Sequence, residues 1–284
     1  MLVEKITSRQ NPLVKRFRRV RAGSEHHYIF LEGVRLIEDA VEAGAHFETI
    51  AFTSSLEISE RGLQLLDNLQ KIPCRGAHVP PQVMEAIADT ESPQGIAAIV
   101  SRPFYELAEI FAERPTLVII ADGLQDPGNL GTIIRTAEAA CANGLVTTRD
   151  TVDPFNQKAL RASMGSALRL PIVTDANRAD VLKLCRERGI TLIGTRTSPS
   201  RKPVMIEDAA RAERTHAYTD ADLTVPLAFI LGREASGIAE ETAADADQFV
   251  YIPMSPHIES LNVSAAAAIL LYEAARQRQF PNMK

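Results

Sequence analysis

The sequence predicts two consecutive α/β domains, the second built on a parallel sheet, and three observations carry the prediction. Short apolar runs alternate with amphipathic stretches at strand–helix spacing along the chain. Two of these runs, TLVIIAD at 116–122 and PLAFILG at 226–232, are almost wholly apolar, the pattern of strands covered on both faces. A length of 284 residues is also enough for two cores, at about 150 residues per domain.

Residues 1–105 are assigned to the first domain. After a basic opening segment, YIFLEG (28–33), ETIAFTS (48–54) and GIAAIVS (95–101) read as strands. VRLIEDAVEAG (34–44), RGLQLLDNLQ (61–70) and PQVMEAIAD (81–89) read as helices, the first stopped by its glycine. RPFYELAEIFAERP (102–115) is bracketed by Pro103 and Pro115, and 106–115 is assigned as a linker with one short helix. In the second domain, 116–284, further strands are expected at 144–148, 170–175, 190–195 and 248–253, and helices at 129–142, 177–188 and 262–278. The last helix is alanine-rich and ends basic, as suits a helix C-terminus. The polar segment 196–222 reads as a long loop with at most one short helix.

Hydrophobic residues at 45% and charged residues at 24% exclude disorder of the whole chain. A net charge of −5 argues against a generally basic nucleic-acid coat, but the charge is uneven. Residues 1–22 hold Lys5, Arg9, Lys15, Arg16, Arg18, Arg19 and Arg21 against Glu4 alone, a net +6 that leaves −11 on the other 262 residues. A basic patch on an otherwise acidic enzyme suits a local polyanion site. The three cysteines, Cys74, Cys141 and Cys185, form no disulfide framework or zinc pattern, so no metal is expected and a reducing, cytoplasmic compartment fits. No apolar run reaches the length of a membrane span, and MLVEKITSRQ lacks the apolar stretch of a signal peptide.

Ligand sites in open α/β sheets lie beyond the C-terminal ends of strands, and three such loops stand out. In DGLQDPGNLGTIIRTAEAA (122–140) a strand runs into a Pro-Gly turn, with Asn129 placed to cap a helix that carries Arg135. In ILGREASGIAEE (230–241), Gly232, Glu234 and Gly237 follow a strand, without the Lys and Ser/Thr of a phosphate loop or the G-x-G-x-x-G of a dinucleotide site. In YIPMSPHIESLNVSAAAAILLYEAA (251–275) a proline-rich turn leads through Ser260, Leu261 and Asn262 into the last helix, with Ile252 and Leu261 as apolar faces for a flat ring. Each loop alone is equally compatible with an ordinary strand–turn–helix.

In this order DPGNLGTIIRTA, LGREASG and IPM…ESLNVSAAAA resemble the three motifs of the SpoU, or TrmH-type, RNA ribose methyltransferases of the SPOUT superfamily, over roughly residues 115–278. ITSRQNPLVKRFRRV (6–20) and FLEGVRLIEDA (30–40) are similar, over a shorter stretch, to the substrate-binding domain of many members, a small α/β fold like an RNA-binding ribosomal protein. The resemblance implies a parallel-sheet catalytic domain with a deep trefoil knot, a homodimer with its sites at the interface, and transfer of the methyl group of S-adenosylmethionine to a ribose 2′-hydroxyl. Ala265 to Ala268 of the last helix would suit close packing in that dimer.

Carried over to this chain, the resemblance implies that Gly232, Ile252 and Leu261 hold the cofactor through their backbone, and that Asn129, Arg135, Glu234, Ser260 and Asn262 form the polar active-site set. Arg135 matches the family's activator of the 2′-hydroxyl. Stripping an arginine of its proton at neutral pH costs roughly 8 kcal/mol, so a clamp on the target phosphate and on developing alkoxide charge is the better role. Two residues depart from the family pattern: Pro256 stands where a small residue is usual, and Arg233 where asparagine is common. His257 reads as a surface residue, while Lys158, Arg161 and Ser163 either shape the site or bind RNA, or form an exposed helix face.

For RNA, Lys15, Arg16, Arg18 and Arg19 could track phosphates, with Asn11 and Arg35 adding hydrogen bonds. Aromatics are 5% and tryptophan is absent, which suits recognition of RNA shape and backbone rather than base stacking. The attached N-terminal domain favours ribosomal RNA; transfer RNA, a non-catalytic RNA-binding or ribosome-assembly factor, and a nucleotide-hydrolysing enzyme are the alternatives.

Overall fold

The structure, a computed structural model, describes residues 1–112, 116–197, 213–234 and 236–279. The chain divides into two units, Met1–Pro103 with Phe155–Leu168, and Phe104–Pro154 with Arg169–Lys284.

The first unit runs β1 (Leu2–Lys5), α1 (Pro12–Arg21), β2 (Tyr28–Glu32), α2 (Val34–Glu42), β3 (Phe47–Phe52), α3 (Glu60–Gln70), β4 (Arg75–His78), α4 (Pro81–Ile87) and β5 (Ile96–Ser101). Its sheet has the order β1-β4-β3-β5-β2, parallel on the β1, β4 and β3 side and antiparallel where β5 joins β3 and β2. LVEK and RGAH are too short to display alternation, so β1 and β4 were not expected. α1 starts where the Asn11 side chain accepts the Leu13 N–H at 2.8 Å and Pro12 takes the first helical position. Its buried stripe of Leu13, Val14, Phe17 and Val20 packs on the sheet, with Phe17 edge-on to Phe30 at 6.4 Å.

The second unit takes up α5 (Leu107–Ile110), whose Ile110 and Phe111 are buried in its core, so the expected linker is largely a packed part of this unit. β6 (Leu117–Ala121), α6 (Pro127–Ala139) and β7 (Gly144–Thr148) follow. The chain then gives α7 (Gln157–Ser163) to the first unit, against the expectation that all of 116–284 forms one domain. There Gln157 Nε2 donates to the Phe30 carbonyl at 2.8 Å, Arg161 pairs with Asp89 at 2.9 Å, and the Arg102 guanidinium lies 4.6 Å over the Phe155 ring.

After the short α8 (Ser166–Arg169) come β8 (Ile172–Ala176), α9 (Arg178–Arg188), β9 (Thr191–Arg196), β10 (Thr215–Ala217), β11 (Leu227–Leu231), α10 (Glu240–Asp245), β12 (Gln248–Tyr251) and α11 (Val263–Gln277). These strands, with β6 and β7, form a seven-stranded sheet in the order β10-β12-β9-β11-β6-β7-β8, parallel throughout. Every residue of β6 and β11 is buried, which is why neither run alternates. β10 corrects the reading of 196–222 as loop; residues 198–212 of that segment lie outside the described residues. Arg278, capping α11, donates to the carbonyls of Leu223, Val225 and Thr116 at 2.6–3.0 Å, anchoring the helix end beside the start of β6.

Candidate functional site

Because the second sheet is parallel, the loops after β6, β9, β11 and β12 leave from one edge. The chain proceeds from β6 to β7 and β8 on one side, while β11 and β9 lie on the other, the switch point at which open sheets hold ligands.

The loop after β6 departs from expectation in one respect. Asp126, not Asn129, caps α6, its carboxylate accepting the Asn129 N–H at 2.8 Å with Pro127 at the first helical position. The Asn129 side chain is thereby left for other contacts. Its Nδ2 donates to Glu234 Oε1 at 3.1 Å, and its Oδ1 accepts from Asn262 Nδ2 at 3.0 Å. Asn262 caps α11, its Oδ1 accepting the N–H and hydroxyl of Ser264 at 2.8 and 2.6 Å. Glu234 also accepts the backbone N–H of Asp126 at 3.3 Å and, at 3.5 Å, that of Gln125. One carboxylate and two carboxamides thus tie the three loops together. Burial pushes the Glu234 pKa up, but hydrogen bonds from its own N–H, from Asn129 and from the N–H groups of Asp126 and Gln125 outweigh it and hold the group below its ordinary value. At neutral pH Glu234 is an acceptor, not an acid.

Beside this cluster lies a cleft of about 780 Å³, bordered by Arg196 at the end of β9, Gly232 and Glu234 after β11, and Ile252, Ser260, Leu261 and Asn262 after β12. Gly232 is required by close approach: a Cβ there would stand 2.2–2.3 Å from the backbone of Gly237 and Ile238. That approach follows from a tight turn in which Arg233 and Gly237 exchange N–H···O bonds of 2.9 and 2.8 Å, with Gly237 at φ +71°. Asn129 and Arg135 do not border the cleft; Arg135 stands on the exposed face of α6 and makes no ion pair among the described residues. Pro256 and His257 are exposed, and Ser163 is buried with its hydroxyl donating to the Leu160 carbonyl.

Two residues were missed. Arg196, its guanidinium 5.4 Å from the Phe249 ring centroid, borders the cleft from a segment read as loop. Asp122, its side chain fully buried, accepts from Arg178 Nη2 and Nε at 2.8 and 3.1 Å, Thr148 Oγ1 at 3.1 Å and Thr242 Oγ1 at 2.7 Å, joining β6 to β7, α9 and α10. The hydrogen bond to Asp122 raises the Arg178 pKa above its ordinary value. An acid closing an otherwise apolar strand was the signal available for Asp122.

In the first unit, Arg16 and Arg19 both reach Glu25, at 3.3 and 3.0 Å, and Arg16 stacks 4.7 Å over Tyr28. Arg9 pairs with Glu85, and Arg21 donates to the carbonyls of Ile87 and Ala88. Asn11 is engaged as the cap of α1. Lys15, Arg18 and Arg35 are exposed and make no ion pair among the described residues. The basic segment is therefore only partly free charge. No group of three potential metal ligands occurs among the described residues.

Comparison with known proteins matches residues 116–272 to the SpoU rRNA Methylase family and residues 11–98 to the MRM3-like substrate binding domain. An uncharacterized tRNA/rRNA methyltransferase of Synechocystis is 32% identical, over 97% of this chain and 95% of its own length. The 23S rRNA (guanosine(2553)-2′-O)-methyltransferase RlmP of Bacillus subtilis is 29% identical, over 95% and 98%. The AdoMet-bound crystal structure of an rRNA methyltransferase from Sinorhizobium meliloti has a TM-score of 0.81 at 29% identity, covering 96% of this chain and 98% of that one.

Proposed function

The chain belongs to the SpoU rRNA methylase family and is an S-adenosylmethionine-dependent methyltransferase of ribosomal-RNA ribose 2′-hydroxyls; from this premise we propose that Asn129, Glu234 and Asn262, with Arg135 and Ser260, form its active site beside the cleft. The observation that carries the proposal is the hydrogen-bonded Glu234–Asn129–Asn262 link, which joins the loop of Asn129 to two loops 105 and 133 residues further along the chain.

The cleft fits the cofactor. Its volume is within the ordinary range for a ligand of that size, Ile252 and Leu261 offer apolar surface, and Gly232 borders it where the chain folds back onto Gly237 and Ile238. Gly232, Ile252 and Leu261 would hold it. When bound, S-adenosylmethionine supplies an electrophilic methyl group on a sulfonium.

The protein's part is alignment and charge. Asn129 and Asn262, held by the Glu234 carboxylate and by the caps of two helices, present fixed amides to the ribose. Arg135 stabilises negative charge growing on the 2′-oxygen as its proton leaves to water. We assign Lys15, Arg18 and Arg35 to the RNA backbone, and Arg16 and Arg19 to shaping that surface. Exposed Ile258, Leu261 and Tyr272 support a homodimer whose partner brings Arg135 to the neighbouring cleft. The trefoil knot of the family is proposed for the second unit, with β12 seated between β10 and β9 as supporting order. Free thiols at Cys74, Cys141 and Cys185 support a reducing compartment, the cytoplasm; among the described residues no helix is long and apolar enough to cross a membrane.

The deciding experiment is mass-spectrometric mapping of ribose methylation in 23S, 16S and transfer RNA from cells with and without the gene. One 23S nucleotide that loses its methyl group is the expected result; loss confined to transfer RNA would overturn the ribosomal assignment.

A further inference from the structure

We infer that Arg233 binds a backbone phosphate of the RNA next to the target nucleotide, an assignment that rests on the active-site reading above. Three observations point to it. First, the backbone of Arg233 exchanges two hydrogen bonds with Gly237, so its side chain leaves from a paired residue at the border of the cleft. Second, that side chain lies against Gly123: a Cβ there would stand 2.8 Å from Arg233 Nε. Third, the guanidinium is half-exposed, and its one ion-pair partner among the described residues, Asp150, is an exposed carboxylate 3.6 Å away, beyond hydrogen-bond length. Its planar fork of donors suits the oxygens of a phosphate.

Position and charge select the ligand. Glu234, the next residue, is bonded to Asn129, so an anion on Arg233 lies one residue from the polar cluster. Beside a cleft for a sulfonium-bearing donor a guanidinium adds like charge. Glu234, Glu240 and Glu259 border the cleft with negative charge of their own, and the RNA backbone brings the phosphate that the exposed guanidinium can take. Arg149, exposed and adjacent to Asp150, extends the positive surface along the same edge of the sheet.

The test uses the full chain and an in vitro transcript of the organism's 23S rRNA, with filter binding at several salt concentrations and calorimetric titration of S-adenosylmethionine. Arg233→Gln should weaken RNA binding about five- to tenfold and lower the slope of log affinity against log salt by about 0.7–0.9, the share of one phosphate. Cofactor affinity should stay within about twofold. Asp150→Asn should tighten RNA binding about two- to threefold by releasing the guanidinium, and that gain should vanish when Arg233→Gln is also present. A purely structural Arg233 would not produce a gain of opposite sign. Unchanged RNA affinity and salt slope in Arg233→Gln overturn the inference, as does a loss confined to cofactor affinity, which would assign the guanidinium to the cofactor's carboxylate. A wild type that binds the transcript without methylating it overturns the ribosomal-substrate reading instead, while one that retains no RNA overturns both.

Discussion

On α1, Arg16 and Arg19 share the Glu25 carboxylate and Arg21 donates to two carbonyls, whereas on α6 Arg135 stands exposed with no ion pair among the described residues. Both helices are amphipathic surface elements of α/β units, so the contrast lies in the neighbours. Around α1 the fold supplies Glu25, Glu48 and Glu85; beside α6 the nearby acids are engaged elsewhere, Glu234 by Asn129 and backbone N–H groups and Asp126 by the helix cap. An arginine that the fold has neutralised positions structure, and one that it has left unpaired is available to a ligand. The distinction orders the expected effects of mutation.

The extreme of the first kind is Arg178 on Asp122. Here the carboxylate is fully buried and its three donor residues come from three different elements, so Asp122→Ala leaves the partly buried Arg178 guanidinium only exposed Glu241, 3.4 Å away, and takes the shared acceptor from two buried hydroxyls. The expected loss of stability is about 3–5 kcal/mol, measured by urea denaturation. A loss below about 1 kcal/mol would mean that this pair behaves like the exposed ones on α1.

Arg135 is the opposite extreme. Arg135→Ala should leave stability and cofactor affinity nearly unchanged and lower the methyl-transfer rate at least about a hundredfold, the usual cost of losing one charge-stabilising donor. Single-turnover transfer of labelled methyl to RNA measures it. A variant of full rate would return Arg135 to the surface.

Glu234 lies between the two. Glu234→Gln keeps the shape but puts an amide where the N–H donors of Asn129, Asp126 and Gln125 now point, and the rate should fall about tenfold as Asn129 loosens. The pH dependence has a definite sign. The folded-state pKa lies below the ordinary carboxylate value, so Glu234 contributes stability that is fully present above about pH 4.3 and is lost as pH falls through the lower, folded-state value. Thermal midpoints should therefore be flat in this respect across neutral pH and drop only in acid, and Glu234→Gln should remove part of that acid limb.

These contrasts were only partly visible in the sequence. β6 and β11 were legible because unbroken burial leaves no alternation, while β4 and β10 are too short to carry a period. The proposed active-site residues came from resemblance, and their geometry did not. Asp126 and Asn129 are both good caps, and Pro127, whose missing N–H suits the first turn, decides for Asp126 and so frees Asn129. The charge count over 1–22 misjudged α1 because the compensating acids lie outside that window, at Glu25, Glu48 and Glu85.

The smallest expected effect tests the comparison within α1 itself. Lys15 and Arg18 are exposed and without ion pairs among the described residues, while Arg16 and Arg19, on the same helix, share Glu25. If free charge is what meets the RNA backbone, Lys15→Ala with Arg18→Ala should lower the salt slope of RNA binding by about 1.4–1.8, two phosphates' worth, and weaken binding at low salt. Arg16→Ala with Arg19→Ala removes the same formal charge. It also releases Glu25 and uncovers Tyr28, so it should cost some stability while changing the slope by less than half as much. Equal slopes for the two double variants would show that RNA displaces Glu25 from its arginines, and that ion pairing within the free protein does not decide which cations it offers.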